Sequence, residues 1–526
     1  MKTIAPLLLL LALAQASVAQ LSGPLSGTLG PGEFHVVDTI SVEAGDSLTL
    51  LPGTIFNFDG PYPFYIYGPL LAEGTESDSV IFTTDTLTNP DRWRGLRFLD
   101  SNSSGSRLAY CLIKRSCTTG GSPDSYGGGV RCDNSSPTFM HCTISSNAAG
   151  GGGGVACDSS SPRFENCMIS GNSASGGGGV ACSFSAPIFT NCTLGDNSAT
   201  TSGGGISSVW SCPTFTNCVI NDNSAGSGGG MFHYESWSVS TNCAISGNRA
   251  SYGGGVFCHT WSSYNFVNCT IDGNTALKGG GVFCSNSWPT FTHCTLSSNS
   301  ADSGGGVFCE EYSFAQFNST IVAFSSGSGI CFENSAECSV KFCDIFGNSD
   351  GPFGGDVPAG LGELMDTNAN GDSCDTYFNI FLDPMFADTG AGDFHLLAGS
   401  PCIDAGDPTL PLDPDSTIAD IGAFYFDQSA AEPITVLLPN TFALYPNWPN
   451  PFNATTMIRY DVLTAGKVSL TIFNLLGQRV ATLFDGRQLA GSYTIAWSAS
   501  NLPSGLYFYR MDASGFMQTR KMLLVK

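Results

Sequence analysis

Basic residues are scarce in this 526-residue chain. It has 20 lysine and arginine residues against 44 aspartate and glutamate residues, which gives a formal net charge of −24, and only 12% of its residues are charged. Binding to nucleic acid requires basic patches that attract phosphate groups. The composition therefore excludes nucleic acid as a partner and is typical of an extracellular protein that can attract cations.

Long hydrophobic runs are absent beyond the amino terminus. Lys2, the apolar residues 7–13 and the small residues Ser17 and Ala19 form the pattern of a secretory signal. The apolar run is too short to span a bilayer, and no later stretch reaches 18 apolar residues. We expect a signal peptide over residues 1–19, a mature chain that begins at Gln20, and no transmembrane segment.

Helical periodicity is missing, whereas glycine is abundant, with 65 residues. A motif of three glycines and one hydrophobic residue occurs eight times at steps of 25 or 26 residues, and it begins at residues 127, 152, 177, 203, 228, 253, 279 and 304. Each unit also contains two short apolar runs with a period near two, which is typical of β-strands. One unit cannot bury its apolar residues alone, so the units must stack, with about 4.8 Å between strands.

Three other residue types keep register with the glycine motif. The asparagines are Asn147, Asn172, Asn197, Asn223, Asn248, Asn274 and Asn299. The cysteines are Cys142, Cys167, Cys192, Cys218, Cys243, Cys269 and Cys294. The aromatic residues are Phe139, Phe164, Phe189, Phe215, Phe266 and Phe291. Stacked asparagines can bond to one another and satisfy the backbone of a turn.

These columns resemble the right-handed β-helix repeats of bacterial surface proteins, including glycine-rich units of the polymorphic outer-membrane type. The resemblance covers residues 111–345 and implies an all-β fold, a right-handed single-stranded parallel β-helix. We extend this coil over residues 20–110 as irregular leading turns, with strands such as Ile40-Ser41-Val42. Residues 346–427 are expected to form a terminal coil and capping segment, because an open end would expose strand edges and apolar core.

A second cysteine column accompanies the first. It contains Cys132, Cys157, Cys182, Cys258, Cys284 and Cys309, with Ser208 and His233 in the two repeats between. Export favours disulfides, and stacked turns bring cysteines within disulfide distance; a ladder of buried thiols is the alternative. The total of 21 leaves at least one cysteine without an intramolecular partner. No Cys-x-x-Cys pair occurs, so we interpret His233 as a tolerated substitution and expect no zinc site.

A short acidic segment offers a candidate calcium site. Asp366, Asn368, Asn370 and Asp372 place oxygen-bearing side chains at alternate positions beside Gly371. This resembles the first half of a calcium loop but lacks the closing glutamate and the helical flanks of an EF-hand. A metal-free turn rich in asparagine is the alternative, and we expect no other cofactor.

The composition changes after about Gln428, and we interpret residues 428–439 as a linker. Regularly spaced short strands over residues 440–526 predict a small immunoglobulin-like sandwich. The segments Trp448-Pro-Asn-Pro-Phe-Asn453 and Leu502-Pro-Ser-Gly-Leu-Tyr507 resemble the type A sorting domain of the type IX secretion system, a relative of the immunoglobulin-like domain of flagellar hook-capping proteins. Trp448 and Ala454 depart from the usual tyrosine and proline of that family. The resemblance implies export across an outer membrane, then release or surface attachment; a plain accessory sandwich is the alternative.

Catalytic candidates are few. Asp196 and Asp222 precede the column asparagine in consecutive repeats, and two close carboxylates could divide acid and base roles. Other repeats place serine or glycine at this position, which indicates a freely variable exposed site. Glu310 and Glu311 form another acidic spot, and no arginine or lysine stands nearby in the pattern to bind an acidic sugar.

Four tryptophans occur in successive repeats: Trp210, Trp237, Trp261 and Trp288. They could stack on sugar rings, or they could pack under neighbouring loops. We therefore predict a secreted or cell-surface protein, non-enzymatic, that presents a long face for adhesion or glycan binding. A polysaccharide lyase or glycoside hydrolase of the β-helix type is the alternative. The expected partners are the export machinery and an extracellular polysaccharide or cell surface.

Overall fold

The structure is a computed structural model that describes residues 19–118, 125–429, 441–447, 450–453, 455–464, 466–488, 491–500 and 502–525. The chain divides into two compact units, Met1–Phe426 and Asp427–Lys526. Nearly all of the expected signal peptide, most of the expected linker, and the motif residues Trp448 and Ala454 lie outside the described residues. Within the described part of the chain, no helix has the length and hydrophobicity that a membrane crossing requires.

Three parallel strand columns build the first unit. Each repeat contributes one strand to each column, and each strand pairs in parallel with its counterpart in the next turn. We name the columns by their inward residues: the valine sheet (Val130–Asp133 in one repeat), the phenylalanine sheet (Thr138–Met140) and the isoleucine sheet (Thr143–Ser145). The phenylalanine sheet has 13 strands. The prediction of an all-β parallel β-helix is confirmed.

The strand bounds follow the repeat. The valine sheet contains Phe64–Ile66, Leu96–Leu99, Val130–Asp133, Val155–Asp158, Val180–Ser183, Ile206–Val209, Met231–Tyr234, Val256–His259, Val282–Ser285, Val307–Glu310, Ile330–Phe332 and Phe353–Gly355. The phenylalanine sheet contains Gly27–Leu29, Leu48–Leu50, Leu70–Glu73, Arg107–Ala109, Thr138–Met140, Arg163–Glu165, Ile188–Thr190, Thr214–Thr216, Trp237–Thr241, Ser263–Val267, Thr290–Thr292, Gln316–Asn318 and Ser339–Lys341. The isoleucine sheet contains Thr54–Phe58, Val80–Thr83, Cys111–Lys114, Thr143–Ser145, Met168–Ser170, Thr193–Gly195, Val219–Asn221, Ala244–Ser246, Thr270–Asp272, Thr295–Ser297, Ile321–Ala323 and Asp344–Phe346.

Two early strands, Ala19–Pro24 and Gly32–Val42, run through a corner and belong to both the isoleucine and the valine sheet. Outside the three sheets, Ser173–Gly176 pairs with Ser198–Ser202. Two short antiparallel pairs follow the coil: Asp366–Thr367 with Ser373–Cys374, and Phe386–Asp388 with Asp393–Leu396. Short 3-10 helices occur at Ser101–Gly105 and Thr389–Ala391.

Identical side chains fill the interior in columns. Phe139, Phe164, Phe189 and Phe215 are fully buried, and successive rings stack with centroids 4.9 to 5.0 Å apart and planes within 7° of parallel. Stacked aromatic rings bury a large apolar area and gain dispersion energy from close contact. Each turn thus supplies the apolar cover that its neighbours lack.

One turn departs from this pattern, and its substitutions compensate one another. Ser240 stands in the phenylalanine column between Phe215 and Phe266, where a missing ring would leave a cavity. Tyr264 enters this space, stacks on Phe266 with centroids 4.1 Å apart, and shares a 2.7 Å hydrogen bond with the Ser240 hydroxyl. His233 packs against Tyr264 at 4.5 Å, and burial lowers its pKa to about 3. His233 is therefore a neutral, space-filling residue of the core.

The asparagine column is a ladder of side-chain amides. Asn172 Oδ1 accepts hydrogen bonds from the backbone N–H and the side-chain amide of Asn147, both at 3.0 Å. Asn172 Nδ2 donates to the carbonyl oxygen of Ile144 at 2.9 Å. The same contacts recur turn by turn as far as Asn299. The expected amide stacking is confirmed, and it satisfies buried backbone groups at this corner.

The glycine motif follows the asparagine ladder and is required by geometry. Gly152 has a φ of 63°, a left-handed conformation that favours glycine. Gly153 lies under the next turn, where an added Cβ would come within 2.5 Å of the Gly178 carbonyl oxygen. The motif therefore allows a sharp corner with closely stacked backbones.

Each of the 21 cysteines is free, and most are buried. In the column that precedes the isoleucine strands, the backbone N–H of Cys167 donates to Cys192 Sγ at 3.4 Å. Burial raises the pKa of Cys142 and of Cys269 well above the ordinary value for a thiol. Of the two alternatives, the structure has the ladder of free thiols that pack as small hydrophobic groups.

The segment after the last turn closes the coil and then folds back along it. Leu361, with the partly buried Tyr377 and Phe381, packs against the end of the core. Further on, the backbone N–H of Gly422 donates to the Ser319 carbonyl oxygen at 2.9 Å. The segment therefore covers both the end and one side of the final turns.

The second unit has two antiparallel sheets. One contains Ala443–Leu444, Thr455–Val462 and Gly491–Ser498; the other contains Arg479–Gln488, Gly466–Phe473, Gly505–Ala513 and Phe516–Leu524. Ile458, Leu470 and Met522 are fully buried in its core. The Tyr509 hydroxyl donates to the Tyr445 carbonyl oxygen and accepts from the Asn447 N–H, both at 2.8 Å, and so anchors the opening strand.

Breaking the asparagine ladder at its middle should weaken the coil. Asn223 Oδ1 accepts two hydrogen bonds from Asn197, and Asn223 Nδ2 donates to Leu194 and Asn248. Asn223→Ala leaves buried groups unpaired and should lower the free energy of unfolding by about 3 kcal/mol. Urea denaturation measures this, with the exposed Ser198→Ala as the matched control. Equal stability of both variants would contradict a structural role for the ladder.

The buried carboxyl group of Asp344 should make the stability of the protein depend on pH. Its carboxyl lies between the last isoleucine strand and the closing segment, and it accepts from the Leu382 N–H at 3.1 Å and from the Cys402 thiol at 3.3 Å. Burial raises its pKa well above the ordinary value. The folded protein therefore keeps a proton that the unfolded chain releases above about pH 4.

Stability should consequently fall as the pH rises from about 4 toward the folded pKa of Asp344, because the unfolded chain then binds fewer protons. Asp344→Asn can keep the hydrogen bond from the Leu382 N–H, turns its amide N–H₂ toward the Cys402 sulfur, and removes this loss because it does not ionise. Its advantage over the wild type should vanish near pH 3 and grow at higher pH by about 1.4 kcal/mol for each unit of raised pKa. Urea denaturation from pH 3 to 7 tests this, and the exposed Asp302→Asn should follow the wild type throughout.

Candidate functional site

A second polar ladder lies at the corner between the valine and phenylalanine strands. The backbone N–H of Ser160 donates to Ser185 Oγ, and that of Ser185 donates to Ser211 Oγ, each at 3.1 Å. These serines are buried. The residue before each has a positive φ, for example 47° at Phe184 and 48° at Trp210. The residues that flank each serine consequently lie on the outside of the corner.

Exposed aromatic residues occupy these flanking positions in six consecutive turns. They are Phe184, Trp210, Trp237, Trp261, Trp288, Tyr312 and Phe314. We call this set the aromatic corner. The structure brings all four of the tryptophans singled out in the sequence to this one edge. Sequence reasoning missed Phe184, Tyr312 and Phe314, although their position beside the column serine could have identified them.

The members of the aromatic corner differ in their contacts. Phe184 and Trp210 stack on each other with centroids 4.9 Å apart, and Trp210 Nε1 donates to Glu235 Oε2 at 2.7 Å. Trp237, Trp261 and Trp288 are 57%, 58% and 40% exposed. Within the described residues, these three indoles have no aromatic neighbour and no side-chain hydrogen bond. Their rings are available to a ligand.

The charges at this corner are acidic. Glu235 occupies the flanking position before Ser236, and Glu311 lies one residue before the flanking Tyr312; no lysine, arginine or histidine occupies a flanking position in the turns from Asn134 to Phe314. Glu311 Oε2 accepts a 2.8 Å hydrogen bond from the Ser285 hydroxyl. Lys278 lies 3.8 Å from Glu310 in an ion pair, with its ammonium over the Phe308 ring.

A groove of about 480 Å³ runs beside the first part of the aromatic corner. Its lining includes the small residues Ala156, Ala181 and Ser207, which face outward from the valine sheet, and Tyr126 and Arg131. In the turns that follow, the same outward column is occupied by phenylalanine. Phe257, Phe283 and Phe308 form a separate buried cluster, and the partly buried Phe232 packs against it. The groove therefore ends where the outward residues become large.

Asp196 and Asp222 lie at a different corner, directly after the isoleucine strands. Both are exposed, with φ values of 56° and 54°. Asp222 Oδ2 accepts a 2.7 Å hydrogen bond from the Asn221 side chain. Neither has an ion pair within the described residues, and the structure does not place them beside the tryptophans. Left-handed backbone at this position is itself a reason for aspartate or glycine.

The candidate calcium residues form a hairpin turn. Asn368 Oδ1 accepts from the backbone N–H groups of Asn370 and Asp372 at 3.0 and 2.8 Å. Asn370 Nδ2 donates to the Ile403 carbonyl oxygen. These bonds use oxygen and amide groups that would have to turn toward a cation, so the arrangement fits a metal poorly. Within the described residues, no cluster of three or more His, Cys, Asp or Glu side chains could hold a metal ion.

Comparison with known proteins supports the two-part organisation. The family described as right-handed beta helix region matches residues 35–194 and 174–319 of this chain. The family described as secretion system C-terminal sorting domain matches residues 446–526. No curated protein matches the chain. Among solved structures, the enzymatically active domain of tailspike protein 4 of bacteriophage CBA120 is 13% identical, with 93% of this chain and 63% of that chain covered. Its TM-score of 0.14 is too low to support any inference.

The sorting domain indicates export through the type IX machinery and attachment at the cell surface. The β-helix matches together span residues 35–319, more than half of the 526 residues. The chain belongs to the right-handed β-helix family and is a secreted member that carries a C-terminal sorting domain.

Proposed function

We propose that this protein is a non-catalytic glycan-binding protein of the cell surface and that the aromatic corner is its binding site. The observation that carries the proposal is the set of three free indoles, Trp237, Trp261 and Trp288, in consecutive turns. Large aromatic side chains that are exposed together along one edge often mark an interaction site. Indole rings offer a flat apolar face to the C–H groups of a sugar and a polar edge to water and hydroxyl groups.

The acidic residues of the corner suit hydroxyl-rich ligands. Glu235 already accepts a hydrogen bond from an indole N–H, and Glu311 accepts one from a serine hydroxyl. Ionised carboxylates have several acceptor sites and can also accept from sugar hydroxyls. Aromatic faces with nearby hydrogen-bond acceptors provide the two kinds of contact that a glycan requires.

A catalytic function has weaker support. Glycoside cleavage requires two carboxyl groups on either side of the scissile bond. Asp196 and Asp222 stand in consecutive turns, and they lie at a corner away from the free indoles. A second pair, Asp133 and Asp158, is aligned across the valine sheet, and Arg131 already binds Asp133 at 2.7 Å. The left-handed backbone conformation of Asp196 and Asp222 explains their identity without any reaction.

Loss of the free indoles should abolish glycan binding. The triple variant Trp237→Ala, Trp261→Ala and Trp288→Ala should bind an immobilised polysaccharide at least thirtyfold more weakly than the wild type, since one aromatic hot spot contributes about 2 kcal/mol. Affinity electrophoresis over a polysaccharide panel measures this. Leu277→Ala, which truncates an exposed side chain outside the corner, is the control. Unchanged retardation of the triple variant would contradict the proposed site.

Substitutions of Asp196 and Asp222 should change the stability of the protein only through the left-handed backbone conformation at these positions. Asp196→Gly or Asp222→Gly should leave the free energy of unfolding within about 1 kcal/mol of the wild type, whereas Asp222→Val should lower it by about 1–2 kcal/mol because a β-branched residue resists the left-handed region. Thermal denaturation provides the comparison. Both glycine variants should also retain glycan binding. A polysaccharide-cleaving activity of the wild type that Asp196→Asn or Asp222→Asn removes would overturn the non-catalytic proposal.

A further inference from the structure

The three free indoles define a direction on the surface. Trp237 and Trp288 follow the column serine in their turns, whereas Trp261 precedes it in the turn between them. The three rings therefore zigzag across the serine ladder while they advance along the coil axis. From Trp237 to Trp288 there are two turn spacings, about 10 Å. A ligand that contacts all three must run along the axis and not across it.

We infer that the ligand is an extended, neutral, β-1,4-linked polysaccharide whose chain lies parallel to the coil axis, with at least three consecutive sugar units on Trp237, Trp261 and Trp288. This inference rests on the proposed function and specifies its substrate class. A β-1,4-linked pyranose chain is nearly straight, and each unit advances it by close to one turn spacing.

The charge of the corner selects against acidic sugars. Glu235 flanks Ser236 at one end of the three indoles, and Glu311 lies beside the flanking Tyr312 at the other end; no basic side chain occupies a flanking position in the turns from Asn134 to Phe314. A polyuronate would place like charges near both glutamates, and like charges at close range repel each other. The chain as a whole carries a net charge of −24, which adds long-range repulsion at low salt.

A curved chain would lose contacts. The stacked turns hold the indoles along a straight axis, because each turn is fixed to the next by parallel strand pairing. An α-1,4-linked glucan curls and can contact one or two of the rings but not all three. Length dependence therefore distinguishes a straight from a curled ligand.

The experiment uses the full chain and soluble oligosaccharides of two to six units. Isothermal titration should show the affinity for cello-, xylo- or manno-oligosaccharides rising at least tenfold from two to four units and then changing little. Malto-oligosaccharides should show no such rise, and oligogalacturonates should bind at least tenfold more weakly than the neutral series at low salt. The triple tryptophan variant should lose the length dependence.

Cys212 provides a second readout on the unmodified protein. It is the only exposed cysteine of the 21 and lies at a flanking position one turn before Trp237. A β-1,4-linked hexasaccharide that extends past Trp237 should slow its reaction with a maleimide reagent at least threefold, whereas a disaccharide should not. This measurement does not depend on the folding of any variant.

The possible failures are distinguishable. If no glycan binds, or if binding ignores the triple variant, the proposed function is wrong. If glycans bind through the tryptophans but the best ligands are oligogalacturonates or maltodextrins, or if affinity is independent of length, the proposed function stands and the inference about the ligand is overturned.

Discussion

Register between neighbouring turns is the constraint on which the rest of this molecule depends. The asparagine ladder joins each turn to the next through a backbone N–H and a side-chain amide at the same corner, and the serine ladder does so at a second corner. A slip of one residue would exchange inward and outward side chains in every strand. It would also leave buried amides without partners. The ladders therefore fix the columns on which the core packs.

Two repeats have 26 residues in place of 25, from Gly177 to Gly203 and from Gly253 to Gly279, and they show that this constraint confines insertions to the surface. The distance from Asn197 to Gly203 exceeds that from Asn172 to Gly177 by one residue, and the extra residue is accommodated at the irregular pairing of Ser173–Gly176 with Ser198–Ser202. A second extra residue falls between the valine strand and Ser262, where Thr260 and Trp261 both have positive φ. Both insertions are confined to surface corners. The aromatic corner is thus a place where the fold tolerates change.

Much of the β-helix could be predicted from the sequence, because a solenoid repeats the same local structure many times. The glycine, asparagine and phenylalanine columns each indicate a position whose environment recurs, so the sheets and the amide ladder follow from spacing alone. The compensating substitutions at His233, Ser240 and Tyr264 could not be predicted in this way. Their prediction requires knowledge of which side chains share one cavity. The burial of Asp344 was equally hidden, because its cover comes from residues 382 and 402, far along the chain.

The candidate site could also be predicted only in part from the sequence. Spacing placed Trp210, Trp237, Trp261 and Trp288 in successive turns, but only the buried serine between the flanking positions determines that they face outward together. Asp196 and Asp222 looked like a pair for the same reason, yet their corner is set by left-handed backbone and lies elsewhere. A rigid coil that holds aromatic rings in fixed positions has little conformational entropy to lose on binding. Such a shallow site gains affinity mainly by repeating contacts along one chain, and many copies attached to a cell surface would add avidity without any new contact.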